Sequence, residues 1–170
     1  VGHARVARLA GVEIHIYGPA STTLSLSARL QRYLAPPLFP VNVREMPAEL
    51  HFHELPAGTV EIGKFRVKAQ LIIHPNPTIG YRVEGVQGSV TYLPDHEPAL
   101  GASSFPRGKE WTSGYALAEG SDVLIHDAQY TGSEYEARVG FGHSSIEQTF
   151  QFAALTNVKR LVPFHHDPTH

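Results

Sequence analysis

Apolar and polar residues alternate in short blocks over residues 49–93, and glycines fall between the blocks. Period-two alternation broken by turn residues is the pattern of half-buried strands joined by tight turns. Residues 49–55, 65–73, 79–84 and 89–93 read as strands, with Gly58 and Gly63 at turns and residues 85–88 as the hairpin between the last two. The pattern then changes. Residues 123–125 read as a short buried strand. Ile146, Thr149, Phe150, Ala153 and Ala154 recur at helical spacing within residues 145–156, and residues 160–164 form a last apolar strand. A meander followed by strand–helix–strand alternation restricts the chain to a layered α/β domain with mixed sheets.

Upstream of the meander, residues 12–17 alternate as a strand that stops at Gly18-Pro19. Ser21 and Thr22 are candidate caps for a helix whose apolar face is Leu24, Leu26, Leu30 and Leu34. Pro36-Pro37 ends that helix, because proline cannot continue one. Residues 39–41 read as the start of an extended segment. Residues 98–119 are a long loop with helical turns near its end; loops of that length in a compact domain are commonly functional. The length, 170 residues, suits a single domain over 1–170.

The chain has no cysteine, which excludes disulfide scaffolds, thiolate metal sites and cysteine nucleophiles. Its 14 basic and 16 acidic residues give a formal net charge of −2, without the basic excess of a dedicated nucleic-acid-wrapping protein. RNA as a partner therefore draws no support from charge, whereas a small phosphodiester or nucleotide-like substrate is compatible with it. No apolar run approaches the ~20 residues that a membrane span needs, so no membrane partner is expected. The absence of cysteine and of a signal segment is compatible with the cytoplasm. Eleven histidines are the conspicuous excess, and histidine is both the commonest metal ligand and the side chain that titrates near neutrality.

Four apolar segments each lead into an acid or an imidazole: His74 after residues 71–73, Asp95 after 90–93, Asp127 after 123–125, and His165 after 161–164. Reactive groups collect on loops at strand ends, and an imidazole–carboxylate donor set suits Zn, Fe or Mn. Other histidines invite plainer readings. His51-Phe-His53 reads as a solvent-facing pair on one strand face. His3 and His15 carry no assignment, and His96, His126 and His170 read as flanking residues. His166 cannot aim at the same point as its neighbour His165. Ser144 and Ser145 read as caps of the following helix, and Gly140 and Gly142 as turn formers.

Five runs in order, His74-Pro with Gly80-Tyr-Arg82, Tyr92-Leu-Pro-Asp95-His-Glu97, Asp122-Val-Leu-Ile-His-Asp127-Ala-Gln-Tyr130, Gly142-His143-Ser-Ser145 and Val158-Lys-Arg-Leu161 with His165-His-Asp-Pro168, resemble the metallo-β-lactamase superfamily. The resemblance is greatest to its tRNase Z and cyclic-phosphodiesterase branch and spans about residues 12–170. It implies an αββα sandwich of mixed sheets with flanking helices, incomplete at its N-terminal side, so that the chain corresponds to roughly the C-terminal two-thirds of the family fold. It implies two zinc ions per complete site, with manganese or iron as substitutes. His74 matches a histidine on the first metal, Asp95 the bridging aspartate, and His165 a histidine on the second metal. Asp127 and His143 match an acid–imidazole pair that acts near the leaving group. The family also often forms dimers.

One departure is large: the family signature His-x-His-x-Asp-His is absent from the chain. In the family it lies shortly upstream of the strand that residues 12–17 resemble, so the chain reads as a fragment. Three remaining ligands leave each metal short of a full shell, and the chain alone is not expected to be a competent catalyst. The leading expectation is a metal-dependent phosphodiesterase. The alternatives are hydrolysis of a carboxylic ester, lactone, thioester or amide on the same fold, or a non-catalytic binding or assembly domain that has lost its metals.

Overall fold

The computed structural model describes residues 10–55, 57–100, 102 and 104–168; His3 and His170 lie outside them. The chain divides into two compact units, Val1–Pro56 and Ala57–His170.

The first unit is a strand–helix–strand unit. Strand β1 (Glu13–Pro19) pairs in parallel with β2 (Glu49–Leu55), Glu13 opposite Glu49 and Pro19 opposite Leu55. Parallel neighbours need a crossover, which here contains helix α1 (Leu26–Tyr33). The helix starts later than the sequence suggests. Ser25, not Ser21 or Thr22, is the cap, its hydroxyl accepting from the Ala28 amide at 3.2 Å. The Ser21 hydroxyl is taken by the Thr23 amide, 3.3 Å away, and such local bonds compete with helix formation. Leu24 consequently falls outside the helix and is exposed, while Leu26 is buried. Residues 39–41 are bends rather than an extended segment: the Phe39 amide turns back to the Ala35 carbonyl at 3.0 Å, and a 3₁₀ turn, Val43–Glu45, follows.

The second unit holds a six-stranded sheet in simple sequence order: β3 (Gly58–Ile62), β4 (Phe65–Ile72), β5 (Thr78–Gly85), β6 (Gly88–Leu93), β7 (Val123–Asp127) and β8 (Leu161–Phe164). Neighbours from β3 to β6 are antiparallel; β6–β7 and β7–β8 are parallel. It follows that β4, β6, β7 and β8 all point the same way and deliver their carboxyl ends to one edge of the sheet. Those are the four strands after which His74, Asp95, Asp127 and His165 occur.

The core gathers Ile72, Leu93, Leu117, Ala118, Leu124, Phe152 and Ala153. Leu93 comes from the inward face of β6, whose Ser89, Thr91 and Leu93 are buried while Val90 and Tyr92 face out. Phe152 and Ala153 come from helix α4 (Ile146–Leu155), capped by Ser145, whose hydroxyl accepts from the Gln148 amide at 3.1 Å. The long loop also supplies core: it contains a 3₁₀ turn, Lys109–Trp111, and a helical turn α2 (Tyr115–Ala118) that buries Leu117 and Ala118. Helical turn α3 (Gly132–Tyr135) lies between β7 and α4. A Cβ on Gly80 would lie 2.5 Å from Leu93 Cδ2 and 3.0 Å from Leu117 Cδ1, so the β5 backbone at this point doubles as packing surface. No helix among the described residues is long and apolar enough to cross a membrane.

Candidate metal centre

Asp127 ends β7 with its side chain fully buried. One carboxylate oxygen, Oδ2, accepts from the His96 amide at 3.1 Å, and the other, Oδ1, accepts from the Gln129 amide at 3.0 Å. His143 Nδ1 lies 2.7 Å from Asp127 Oδ2 and donates to it. The bond leaves Nε2 as the working face of the ring, as it does for any imidazole oriented by a carboxylate. Burial works against charge on His143. The hydrogen bond and charge of Asp127, with Asp95 and Glu97 behind it, outweigh burial and raise the pKa above the ordinary histidine value.

Asp95 and His165 complete a cluster. Asp95, Asp127, His143 and His165 each offer a ligand atom, and those atoms lie within 4.8 Å of one another. His165 Nδ1 is 3.6 Å from Asp95 Oδ1 and 3.7 Å from Asp127 Oδ2. His165 adopts φ 63°, a left-handed conformation uncommon outside glycine. Backbone outliers of that kind concentrate where the surrounding structure enforces a functional orientation. His74 reaches the same place from β4: its Nε2 is 4.0 Å from Asp95 Oδ2, and its ring stands edge-on to His143 at 5.5 Å. The Asn76 amide donates to His74 Nδ1 at 3.2 Å and fixes the ring, whose Nε2 is the nitrogen turned toward Asp95.

The structure thus brings all five sequence-derived residues, His74, Asp95, Asp127, His143 and His165, to one point. It places His166 elsewhere, with its Nδ1 3.1 Å from the Ala128 carbonyl. The donors are oxygen and nitrogen only, which fits zinc, manganese or iron. Two carboxylates this close, one of them buried, are a like-charge pair that a cation would relieve. Divalent metals therefore fit the donor set of Asp95, Asp127, His143 and His165, with His74 beside it.

Three buried side chains behind this cluster escaped the reading from sequence. Glu97 is fully buried, and its carboxylate accepts from the amides of Gly140 (2.9 Å) and Gly142 (2.8 Å) and from the Tyr135 hydroxyl (2.7 Å). Burial, and then the bond to Glu97, push the Tyr135 pKa up to about 12. The Glu97 amide in turn donates to the Ile73 carbonyl at 3.0 Å. One residue therefore ties the segment before His74 to the loop that carries His143. Gly142 has no room for any other side chain: its φ is +92°, and a Cβ would lie 2.3 Å from His74 Cδ2 and 2.4 Å from Pro75 Cδ.

His96 and His126, read from sequence as flanking, form instead a fully buried pair with His96 Nδ1 2.9 Å from His126 Nε2. His126 Nδ1 lies 2.7 Å from the Asp127 carbonyl, which can only accept, so Nδ1 carries the proton and Nε2 accepts from His96. Burial lowers the His126 pKa to about 4; burial, followed by the neighbouring His126, lowers that of His96 well below the ordinary value. Ser144 is buried as well and donates to the His96 carbonyl at 2.7 Å. The sequence offered one signal for these residues, polar side chains packed tightly among apolar ones in 93–98 and 123–128.

A family model described as a beta-lactamase superfamily domain matches residues 2–166, and the chain belongs to that superfamily. Within it, the similarity runs to the tRNase Z branch. Ribonuclease Z of Streptococcus suis is 26% identical over 201 residues, covering 92% of this chain and 61% of the relative. Ribonuclease Z of Thermoplasma volcanium is 27% identical over 193 residues, covering 92% and 60%. The short form of human tRNase Z superposes with a TM-score of 0.67 at 23% identity, over 92% of this chain and 61% of that one. A diphosphatase of the PhnP family follows the same fold with a TM-score of 0.59 at 19% identity, over 92% and 49%. The chain spans about 60% of the length of these curated relatives. The fold class expected from sequence, α/β with mixed sheets of the metallo-β-lactamase type, is the fold observed.

Proposed function

We propose that the protein is a metal-dependent phosphodiesterase acting on RNA. The observation that carries this reading is the Asp127–His143 pair, bonded at 2.7 Å and set against Asp95 and His165. Bound metals would be held by His74, Asp95 and His165, and would supply an acidified water and charge neutralisation for the phosphoryl oxygens. The chain's own residues do the rest. Asp127 fixes the tautomer and plane of His143 and holds its charged form. His143 then has a proton at Nε2 to give to an alkoxide leaving oxygen. Glu97 keeps the loop bearing His143 at its station through two backbone amides.

A thiolate leaves without being protonated, so the pair speaks against thioester cleavage; amines and carboxylic-ester alkoxides call on a proton donor as well, and the choice of a phosphodiester over them rests on the ribonuclease Z relatives. The relatives that carry the name ribonuclease Z favour RNA over a small nucleotide-like substrate. The net charge of −2 weighs less than the net-charge reading allowed, because it describes the whole chain and not the surface beside the site.

The test is turnover of a bis-aryl phosphate and of a structured RNA by the full-length, metal-loaded protein. His143→Ala should lower kcat about 10²–10⁴-fold, the usual contribution of a positioned acid, with metal content unchanged. Cleavage of RNA should fall in parallel. Undiminished turnover in His143→Ala, or activity confined to carboxylic esters, overturns the proposal.

A further inference from the structure

The first unit carries a second cluster of donors. Because β1 and β2 are paired in register, Glu13, His15 and Tyr17 stand directly opposite Glu49, His51 and His53, on one face of the two-stranded sheet. The rings form a stack: His15 lies 4.8 Å from His51 at 17° and 5.1 Å from His53 at 21°, and His53 lies 4.5 Å from Tyr17 at 16°. Glu13, His15 and His51 each present a ligand atom, and the three atoms lie within 4.8 Å of one another.

We propose that this face is a binding site for a divalent transition-metal ion of the zinc class, with His15, His51 and Glu13 as ligands. It is independent of the centre at Asp95 and of the activity proposed for it.

Four observations converge. First, the donor set is two imidazoles and one carboxylate, a combination suited to zinc and its neighbours. Second, His15 is oriented for it. Its Nδ1 lies 2.9 Å from His53 Nε2, and its Nε2 faces Glu13 Oε2 at 4.0 Å. With the proton on Nδ1 and donated to His53, the Nε2 lone pair is free on the side where the carboxylate stands. A ligating histidine held by its other ring nitrogen is the usual arrangement of a metal site. Third, His51 Nε2 is shielded from solvent and makes no hydrogen bond; the Glu49 carboxylate 3.4 Å away is close but poorly aligned. Fourth, Glu13 and Glu49 are directly cross-strand, and like charges so placed repel. A dication at this end of the sheet turns that repulsion into attraction.

The experiment is zinc titration by calorimetry on the full chain, together with metal analysis after desalting. To separate this site from the other, it is run in an Asp95→Asn/His165→Ala background. One equivalent of zinc should still bind there, and cobalt at the same site should give the visible absorption of a tetrahedral ion. Adding His15→Ala and His51→Ala should abolish both, with circular dichroism unchanged. His53→Phe, which preserves the stack on Tyr17 but cannot accept from His15, should weaken zinc binding at least tenfold. Retention of that equivalent in the His15→Ala/His51→Ala protein, or no binding in the Asp95→Asn/His165→Ala background, overturns the inference. Loss of the phosphodiesterase reading would leave it untouched, because the readout is binding.

Discussion

A methyl group decides whether the loop before His143 can close. Gly142 combines φ +92° with a Cβ position 2.3 Å from the His74 ring, so Gly142→Ala must displace either His74 or the loop. Such a change is expected to remove metal-dependent activity and to cost on the order of 2–3 kcal/mol, from strain and from disturbed bonds to Glu97. Urea denaturation beside an activity assay separates the two effects. The buried imidazoles make a second residue-level prediction. His126 titrates near 4 in the fold against 6.5 when free, so between those values the unfolded chain binds more protons than the native one. Stability is then complete above about pH 6.5 and falls as pH descends, with a slope approaching 1.4 kcal/mol per pH unit and a total near 3 kcal/mol for this one side chain. Denaturant midpoints at pH 7.5 and pH 5 measure the fall, and His126→Gln should lessen it, leaving the share that belongs to buried His96.

At the level of elements, the end of helical turn α2 depends on a strand. Arg82, on β5, donates from one terminal nitrogen to the Leu117 carbonyl (3.0 Å), the Glu119 carbonyl (2.6 Å) and the Ser121 hydroxyl (3.2 Å). Leu117 retains a bond from the Thr91 hydroxyl, but the Glu119 carbonyl is left without that donor when Arg82 is removed. Arg82→Ala should destabilise the protein by about 2–3 kcal/mol, and the amides of α2 should exchange faster than those of α4 in hydrogen exchange. Elements of this kind mark what the sequence could and could not disclose. Residues 49–55 were legible to the residue, because alternation persists and Gly58 and Pro56 bound it. The start of α1 was not, since Ser21, Thr22 and Ser25 are equivalent as letters and only the competing Ser21–Thr23 bond separates them. Asp95, Asp127 and His165 were legible because each follows an apolar run. Glu97 was not, because its partners at Gly140 and Gly142 are more than 40 positions away and nothing periodic links them.

On the scale of the molecule, the acidic residues of the cluster set stability and metal affinity against each other. Without a cation, Asp95 adds negative charge beside buried Asp127; a cation held by the cluster would turn that repulsion into attraction. Asp95→Asn should therefore leave the chelator-treated protein as stable as the parent or more so, while removing the share of zinc stabilisation that arises at this centre. At a hundredfold excess over Kd that stabilisation is about 2.7 kcal/mol, or on the order of 5–10 °C in Tm for a chain of this size. Thermal scans with and without chelator, on parent and variant, test the crossover.

The common direction of β4, β6, β7 and β8 has an evolutionary corollary. Chemistry gathered along one rim of a sheet is separable from the scaffold beneath it. An exposed segment such as residues 107–111, which buries no side chain at its 3₁₀ turn, can be lengthened or exchanged while the charged rim stays in place, so new substrates can be recruited without inventing a new fold.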